Sequence, residues 1–308
     1  MYMFSVIFPG QGSQIVGMGK DLINKFESVK KNFDDADKTL GFSLSNLILE
    51  GPKEALDQTE NTQPAIFLVS YSIFNLIKNE FKIDLNKAKY FAGHSLGEYS
   101  ALAASGVLSF SDTLKILKTR GKAMQSAVPK GEGGMVAILG AEIDKVEDVI
   151  KNYDCEIAND NSNGQIVVSG SSNNLNELIL DLKKNSIKNI KLPVSAPFHC
   201  KLMRKATEIM KMEIENLKFN ETKNQLISNV TANEISEPDQ IKKLLIQQIE
   251  STVRWRESVN YMISKGTKHF IEIGPGKVLS GLIKRIDRNV KVSAINNEED
   301  INTLNLND

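Results

Sequence analysis

Gly93-His94-Ser95-Leu96-Gly97 spells GxSxG, set between the apolar run YFA and the helix-like stretch LGEYSALAAS. A serine on a sharp strand-to-helix turn projects from the tip of a sheet, and small residues around it let neighbouring chains approach the strained backbone. Backbone N–H groups at the start of the following helix, including that of Leu96, face the place where a tetrahedral oxyanion would form. The chemistry this allows is nucleophilic acyl transfer through a serine ester. A bare GxSxG also arises as a glycine-rich turn capped by serine, and composition does not separate the two.

A serine hydroxyl is a weak nucleophile at its free pKa and needs a base, for which histidine is the usual choice near neutral pH. The chain has three histidines, His94, His199 and His269. His94 adjoins the serine and is expected to point elsewhere, and His269 opens an apolar strand and is expected to pack. His199 lies in SAPFHC, on a loop restrained by Pro197. It is the best-placed base, although a structural loop histidine fits the spacing as well. Cys200 raises the rival of a Cys–His pair; adjacent residues rarely face each other, so Cys200 is read as a small buried residue. No Asp or Glu stands out as a third member.

Positioning these groups requires strands that end where the loops begin. Phe4 to Phe8, Tyr90 to Ala92, Gln225 to Asn229, Phe270 to Ile273 and Val290 to Ile295 read as strands, most of them followed by helical patterns, which implies a buried and largely parallel sheet. One helix is expected to start at Pro64, and another to cover Leu96 to Ser105 with Gly106 as its left-handed cap. The middle of the chain has a different rhythm. After PKGEGG come MVAIL, a helix pattern over Glu142 to Asn152, CEIA, an NDNSNG turn, QIVVSG, a helix pattern over Asn174 to Lys184, and a strand near Ile190 to Val194. Strand, helix, strand, strand, helix, strand is the ferredoxin-like order, which places a small βαββαβ subdomain at 127–196, inserted into a large α/β domain formed by 1–126 and 197–308.

At 308 residues, 41% apolar and 25% charged, the chain has ordinary globular composition. Lys plus Arg and Asp plus Glu both total 38, so no overall field favours nucleic acid or an anionic membrane. Two cysteines, Cys155 and Cys200, form no CxxC or disulfide framework. MYMFSVIFPG runs into a strand pattern without a basic leader, and no run of about 18 apolar residues follows. A cytoplasmic protein without a membrane span is the expectation.

Together these pieces resemble the malonyl-CoA:acyl carrier protein transacylases of type II fatty acid synthesis and the related acyltransferase domains of polyketide synthases. The resemblance rests on FPGQGSQ at 8–14, NTQPA at 61–65, GHSLGEY at 93–99, RGKAMQ at 120–125, NDNSNGQIVVSG at 159–170, PVSAPFH at 193–199 and EIGPGKVLSGL at 272–282, in that order. It implies an α/β-hydrolase-like parallel-sheet domain, with Ser95 as acylated nucleophile and His199 as general base and acid. Gln11 resembles the side of the oxyanion hole that joins the Leu96 N–H. Arg120, which alone reads as a solvated helix residue, resembles the arginine that grips the malonyl carboxylate, a fork geometry lysine cannot copy. Gln248 resembles the residue whose backbone carbonyl orients the histidine in place of a triad carboxylate. Asn161, Gln63, Met124 and Phe198 are the cleft-lining candidates, with Phe198 and Leu96 nearer the acyl group.

The partners so implied are malonyl-CoA as a thioester substrate and a holo acyl carrier protein that brings its own phosphopantetheine. No metal or other cofactor, no nucleic acid and no membrane is implied, and a monomer is the expected state. Lys201, Arg204 and Lys205 are a candidate landing surface for an acidic carrier, with a solvated helix face as the alternative. A thioesterase would share GxSxG and the base, though a typical α/β-hydrolase sets an acid between its serine and histidine. A non-enzymatic scaffold is the third reading.

Overall fold

Every residue of Phe4–Phe8 (β1) is buried, as a strand covered on both faces requires, and β1 lies inside a six-stranded sheet. The computed structural model describes residues 3–194 and 196–306; Ser195 of the PVSAPFH run lies outside them. After β1 come the short helices α1 (Lys20–Lys25), α2 (Glu27–Leu40), α3 (Leu44–Glu50) and α4 (Lys53–Leu56), then the long α5 (Thr59–Asn79). β2 (Tyr90–Gly93) leads into α6 (Leu96–Ala104) and α7 (Phe110–Ser126). A second unit follows: β3 (Gly133–Leu139), α8 (Ile143–Ile150), β4 (Glu156–Ser162), β5 (Gln165–Ser171), α9 (Ser172–Lys184) and β6 (Lys188–Lys191). The chain then returns to the first sheet through α10 (Arg204–Asn216), β7 (Gln225–Ile227), β8 (Glu234–Ile235), α11 (Pro238–Gln248), α12 (Trp255–Ser264), β9 (His269–Ile273), α13 (Val278–Ile286), β10 (Lys291–Ile295) and α14 (Glu298–Asn302).

The large sheet has the order β10-β9-β1-β2-β7-β8 and is parallel except for the β7–β8 pair. The smaller one, β4-β5-β3-β6, is antiparallel throughout and interleaves two split βαβ units in the ferredoxin-like manner. The expected α/β class, a parallel-containing sheet beside an antiparallel βαββαβ sheet, is the one observed. β4 is tied by main chain to the segment between α11 and α12: Asp160 N–H donates to Val253 O at 3.0 Å and Val253 N–H to Ala158 O at 2.9 Å. Arg256 adds a bidentate pair with buried Asp160, Nε donating to Oδ1 at 2.9 Å and Nη2 lying 2.8 Å from Oδ2.

Local expectations fail where tertiary partners override them. α5 begins at Thr59 and not at Pro64, because α7 holds the extra turn: the Gln125 side chain accepts from Thr59 N–H at 2.8 Å. NDNSNG is not all turn, for β4 runs on to Ser162 once Asn159 bridges to Val253, Asp160 meets Arg256 and Asn161 meets His94. The strand expected over 225–229 stops at Ile227, which frees Ser228 and Asn229 for other partners. The strand expected near 190–194 is Lys188–Lys191. The edge strand β8, two residues long, carries too little pattern to be seen in sequence.

Three glycines set how closely the sheet ends pack. A Cβ on Gly93 would lie 2.0 Å from the Gly97 carbonyl carbon, one on Gly97 2.3 Å from the Phe8 carbonyl oxygen, and one on Gly10 2.7 Å from the His94 carbonyl oxygen. All three clashes are with backbone, which has no rotamer by which to yield. Gly93→Ala is therefore expected to destabilise the protein by at least about 2 kcal/mol. Gly281→Ala, on α13 with nothing within 4 Å of the added carbon, should stabilise it by about 0.5–1 kcal/mol. Denaturant midpoints of the two variants check this, and shifts of the same sign and size would contradict the packing described.

Candidate active site

The elbow between β2 and α6 places Ser95 at φ 53°, ψ −108°, a strained conformation for a residue with a side chain. It is held from two sides. Asn229, just past β7, accepts from Ser95 N–H at 2.7 Å through Oδ1 and donates from Nδ2 to Gly93 O at 2.7 Å, spanning the turn with one side-chain amide. Leu96 is the first residue of α6, where an N–H has no intrahelical acceptor, so this donor remains available to a ligand. Gln11, in the turn after β1, and Leu96 both line the cleft that contains Ser95.

Ser95 Oγ and His199 Nε2 lie 2.8 Å apart, and His199 Nδ1 is 2.8 Å from Gln248 O. A carbonyl only accepts, so the proton sits on Nδ1, Nε2 is left as an acceptor, and the serine hydroxyl donates to it. That is the geometry of a general base, with a backbone carbonyl where a hydrolase would place a carboxylate. Burial, aided by the charge of Arg120, pushes the His199 pKa down to about 3, so the ring is neutral across the physiological range. His199 itself has φ 58°, and Ser169 Oγ donates to the preceding Phe198 carbonyl at 2.5 Å, which fixes the loop.

Arg120, on α7, is 1% exposed and not a solvated helix residue. Nη2 donates to Ser95 Oγ at 3.0 Å and to Gln248 Oε1 at 2.8 Å, and Nη1 donates to Gln63 Oε1 at 2.9 Å. Its Nε–H has no acceptor among the described residues, and no carboxylate there lies within 4 Å of the guanidinium. The cation sits 5.5 Å from the Tyr99 ring centre. A buried cation whose acceptors are two neutral amides and a hydroxyl keeps its charge open to an anion from outside.

The cleft, about 560 Å³, is lined by Gln11, Gln63, Ser95, Leu96, Arg120, Met124, Phe198 and His199, so eight of the ten candidates converge. Gln248 stands behind them, and Asn161 does not line the cleft; it braces His94, its Oδ1 being 2.8 Å from Nε2, while Asn159 takes the place in the wall. A more open hollow of about 780 Å³, lined by Glu147, Lys151, Asp160, Arg254 and Glu257 among others, contains none of them.

His94 lies against Trp255 with the rings tilted and their centres 5.8 Å apart, and His269 is buried with Nε2 2.8 Å from Ser293 Oγ. Cys200 donates to Pro197 O at 3.1 Å, and burial pushes its thiol up to about 12, which leaves no thiolate for a Cys–His pair. Of the basic cluster, Lys201 is ion-paired with Asp154, and Arg204 lies 3.7 Å from Glu208 and 3.9 Å from Glu250.

Two residues escaped sequence reasoning. Asn229 carries no local signal. Glu98 was visible inside GHSLGEY, and a carboxylate on an alanine-rich helix that is buried throughout is itself an anomaly worth following.

A model of the acyl transferase domain matches residues 5–303. The chain belongs to the acyl transferase family. Among curated members, the malonyl CoA-acyl carrier protein transacylase of Bacillus subtilis (strain 168) is 44% identical, covering 98% of this chain and 96% of its own. Among solved structures, the acyl-carrier-protein-S-malonyltransferase of Bartonella henselae superposes with a TM-score of 0.95 at 39% identity, over 97% of both chains. A malonyl-transacylase in complex with its type II polyketide synthase acyl-carrier protein superposes with a TM-score of 0.94 at 34% identity, over 98% of both. In this acyl transferase the Ser95 hydroxyl and the His199 ring lie within hydrogen-bond distance.

The pH dependence of this pair follows from the burial of His199. The neutral ring is the form able to accept the Ser95 proton, and it is lost only as pH falls toward the lowered pKa near 3. Modification of Ser95 by a small uncharged sulfonyl fluoride should hold a level rate from pH 8 down to pH 5 and decline below. A midpoint near 6.5, the ordinary histidine value, would contradict a buried neutral base.

Proposed function

We propose that this acyl transferase carries the malonyl group of malonyl-CoA to the phosphopantetheine thiol of a holo acyl carrier protein, through a malonyl ester on Ser95, and so supplies fatty acid elongation. The observation that carries the reading is Arg120: a permanent charge, buried beside the nucleophile and lacking a carboxylate of its own among the described residues. The malonyl carboxylate supplies that partner and sets the thioester carbonyl against Ser95.

His199 Nε2 takes the Ser95 proton as Oγ attacks the thioester carbonyl. The oxyanion gathers against the Leu96 N–H and Gln11. Collapse breaks the C–S bond, His199 returns its proton to the departing coenzyme A thiolate, and malonyl-Ser95 remains. The carrier thiol then loses its proton to His199 and attacks the ester, and Ser95 Oγ leaves with that proton. Every step balances with the chain's own groups and the two thiols, so no further cofactor is required. Gln248 O steadies the imidazolium at Nδ1 throughout. Gln63, Met124 and Phe198 shape the wall around the acyl group.

The same reading divides the chain into a large α/β domain, 1–126 and 197–308, and a ferredoxin-like subdomain, 127–196, with the cleft between them. Met135, Asn159, Leu192, Pro193 and Val194 contribute the subdomain wall. Among the described residues no helix is long and apolar enough to cross a membrane, and a cytoplasmic location fits the proposed activity on water-soluble partners.

Intact-mass measurement after mixing with malonyl-CoA should find one malonyl increment, lost when holo carrier protein is added. Ser95→Ala should carry none, and His199→Ala should acylate several orders of magnitude more slowly. Arg120→Ala should lower the malonyl-over-acetyl ratio of kcat/KM by about a hundredfold or more, since a desolvated carboxylate loses its charge partner. An increment that persists in Ser95→Ala, or a ratio that survives in Arg120→Ala, would refute the corresponding role.

A further inference from the structure

Glu98 lies three residues after Ser95 on α6, is 3% exposed, and has no part in the steps above. No cation lies within 4 Å of its carboxylate among the described residues. Its Oε2 accepts from Gln248 Nε2 at 2.7 Å and from Asn229 N–H at 3.2 Å. The other end of the same Gln248 amide, Oε1, accepts from Arg120 Nη2 at 2.8 Å. A glutamine side chain thus stands between a buried carboxylate and a buried guanidinium that do not touch.

We propose that Glu98 is the positioning residue of the carboxylate clamp: acting through the Gln248 amide, it holds Arg120 beside Ser95 with its charge left free for the substrate. This rests on the malonyl reading given under Proposed function. An ionised carboxylate has no proton to donate, so whatever faces it must be a donor. The Gln248 NH2 therefore turns to Glu98, where Ser95 O also accepts from it at 3.1 Å, and Oε1 is left toward Arg120. With the amide reversed, its NH2 would meet the guanidinium donor to donor, and Arg120 would lose the bond that holds Nη2 next to the nucleophile. Direct contact between Glu98 and Arg120 would hold the guanidinium just as firmly but would neutralise it, and the malonyl carboxylate would have to displace an internal carboxylate.

The groups facing Glu98 are Gln248 from α11, Asn229 after β7, Arg120 from α7 and its helix neighbour Tyr99. Burial, opposed by the bonds from Gln248 and Asn229 and by the charge of Arg120, holds the Glu98 carboxyl up at about 7. The ionised form is present above that pH and is lost below it. A protonated carboxyl no longer demands a donor, so clamp selectivity declines as pH drops through about 7.

The test measures kcat/KM for malonyl-CoA and acetyl-CoA in the full-length wild type, Glu98→Gln, Gln248→Met, the double variant and Arg120→Ala. Gln248→Met keeps the backbone carbonyl for His199 and removes only the bridging amide. Each single variant should lower the malonyl-over-acetyl ratio at least tenfold, mainly through the malonyl-CoA KM, with the acetyl-CoA reaction far less affected. The double variant should fall no further than Gln248→Met alone. In the wild type the ratio should decline between pH 8 and 6, and in Glu98→Gln it should be flat. Equal losses on both thioesters would overturn the proposal, since Glu98 would then only support the elbow through Asn229. A ratio that rises in Glu98→Gln would also overturn it, because Glu98 would then act as a charge opposing malonate. Should Glu98→Gln fail to fold, Gln248→Met decides by the same criteria. An Arg120→Ala enzyme that keeps its malonyl preference overturns the clamp and this proposal together; one that loses it while Glu98→Gln keeps it overturns the part assigned to Glu98 alone.

Discussion

A guanidinium buried to 1% exposure with no carboxylate within 4 Å among the described residues is an arrangement that folding alone would not favour. Arg120 is kept in it by neutral acceptors drawn from distant parts of the chain: Gln63 near the start of α5, Gln248 at the end of α11 and Ser95 at the elbow. Moving any of these elements would strand the charge. Gly121, on the same helix, marks how closely α7 must approach α5, since a Cβ there would lie 2.4 Å from Thr59 O. The active-site cation therefore also dictates the packing of the helices around it.

Gln248 joins the two halves of the chemistry. Its backbone carbonyl chooses the tautomer of His199, and its side-chain amide holds Arg120. One residue thus bonds both the ring beside Ser95 and the buried guanidinium, and α11 must end where it does for both contacts to form. A carbonyl is a weaker partner for an imidazolium than a carboxylate, and it leaves no negative charge near Nδ1 to compete with an incoming malonate. A hydrolase has no such reason to avoid one.

Strain and tight packing coincide around Ser95. Ser95 and His199 both have positive φ, and the glycines at 10, 93 and 97 leave no room for side chains. Such backbone persists only where its surroundings over-determine it. Here they do so through the parallel register of β1 with β2 and through Asn229, which clamps the elbow from the neighbouring strand's end. An elbow over-determined in this way fixes the Ser95 hydroxyl in one geometry beside His199.

Much of this was legible in the chain itself. Period and order disclosed the parallel strands and the βαββαβ unit, and GxSxG between strand and helix disclosed the nucleophile, because those signals arise from neighbours in sequence. The cleft residues Gln11, Gln63, Met124 and Phe198 were reachable only by resemblance to a family, since none has a local pattern that demands a cleft. The start of α5, the reach of β4 through NDNSNG and the burial of Arg120 were misread or left open for one reason: each depends on a partner far away in the chain, Gln125 for Thr59, Val253 and Arg256 for β4, Gln63 and Gln248 for Arg120. Sequence by itself determined which residue types were available for acyl transfer and which strands would carry them. Only the tertiary structure decided that Asn161 braces His94 while Asn159 lines the cleft, that Asn229 spans the elbow, and that Glu98 and Arg120 meet through an amide, because hydrogen bonds between distant side chains leave no periodicity in the chain that makes them.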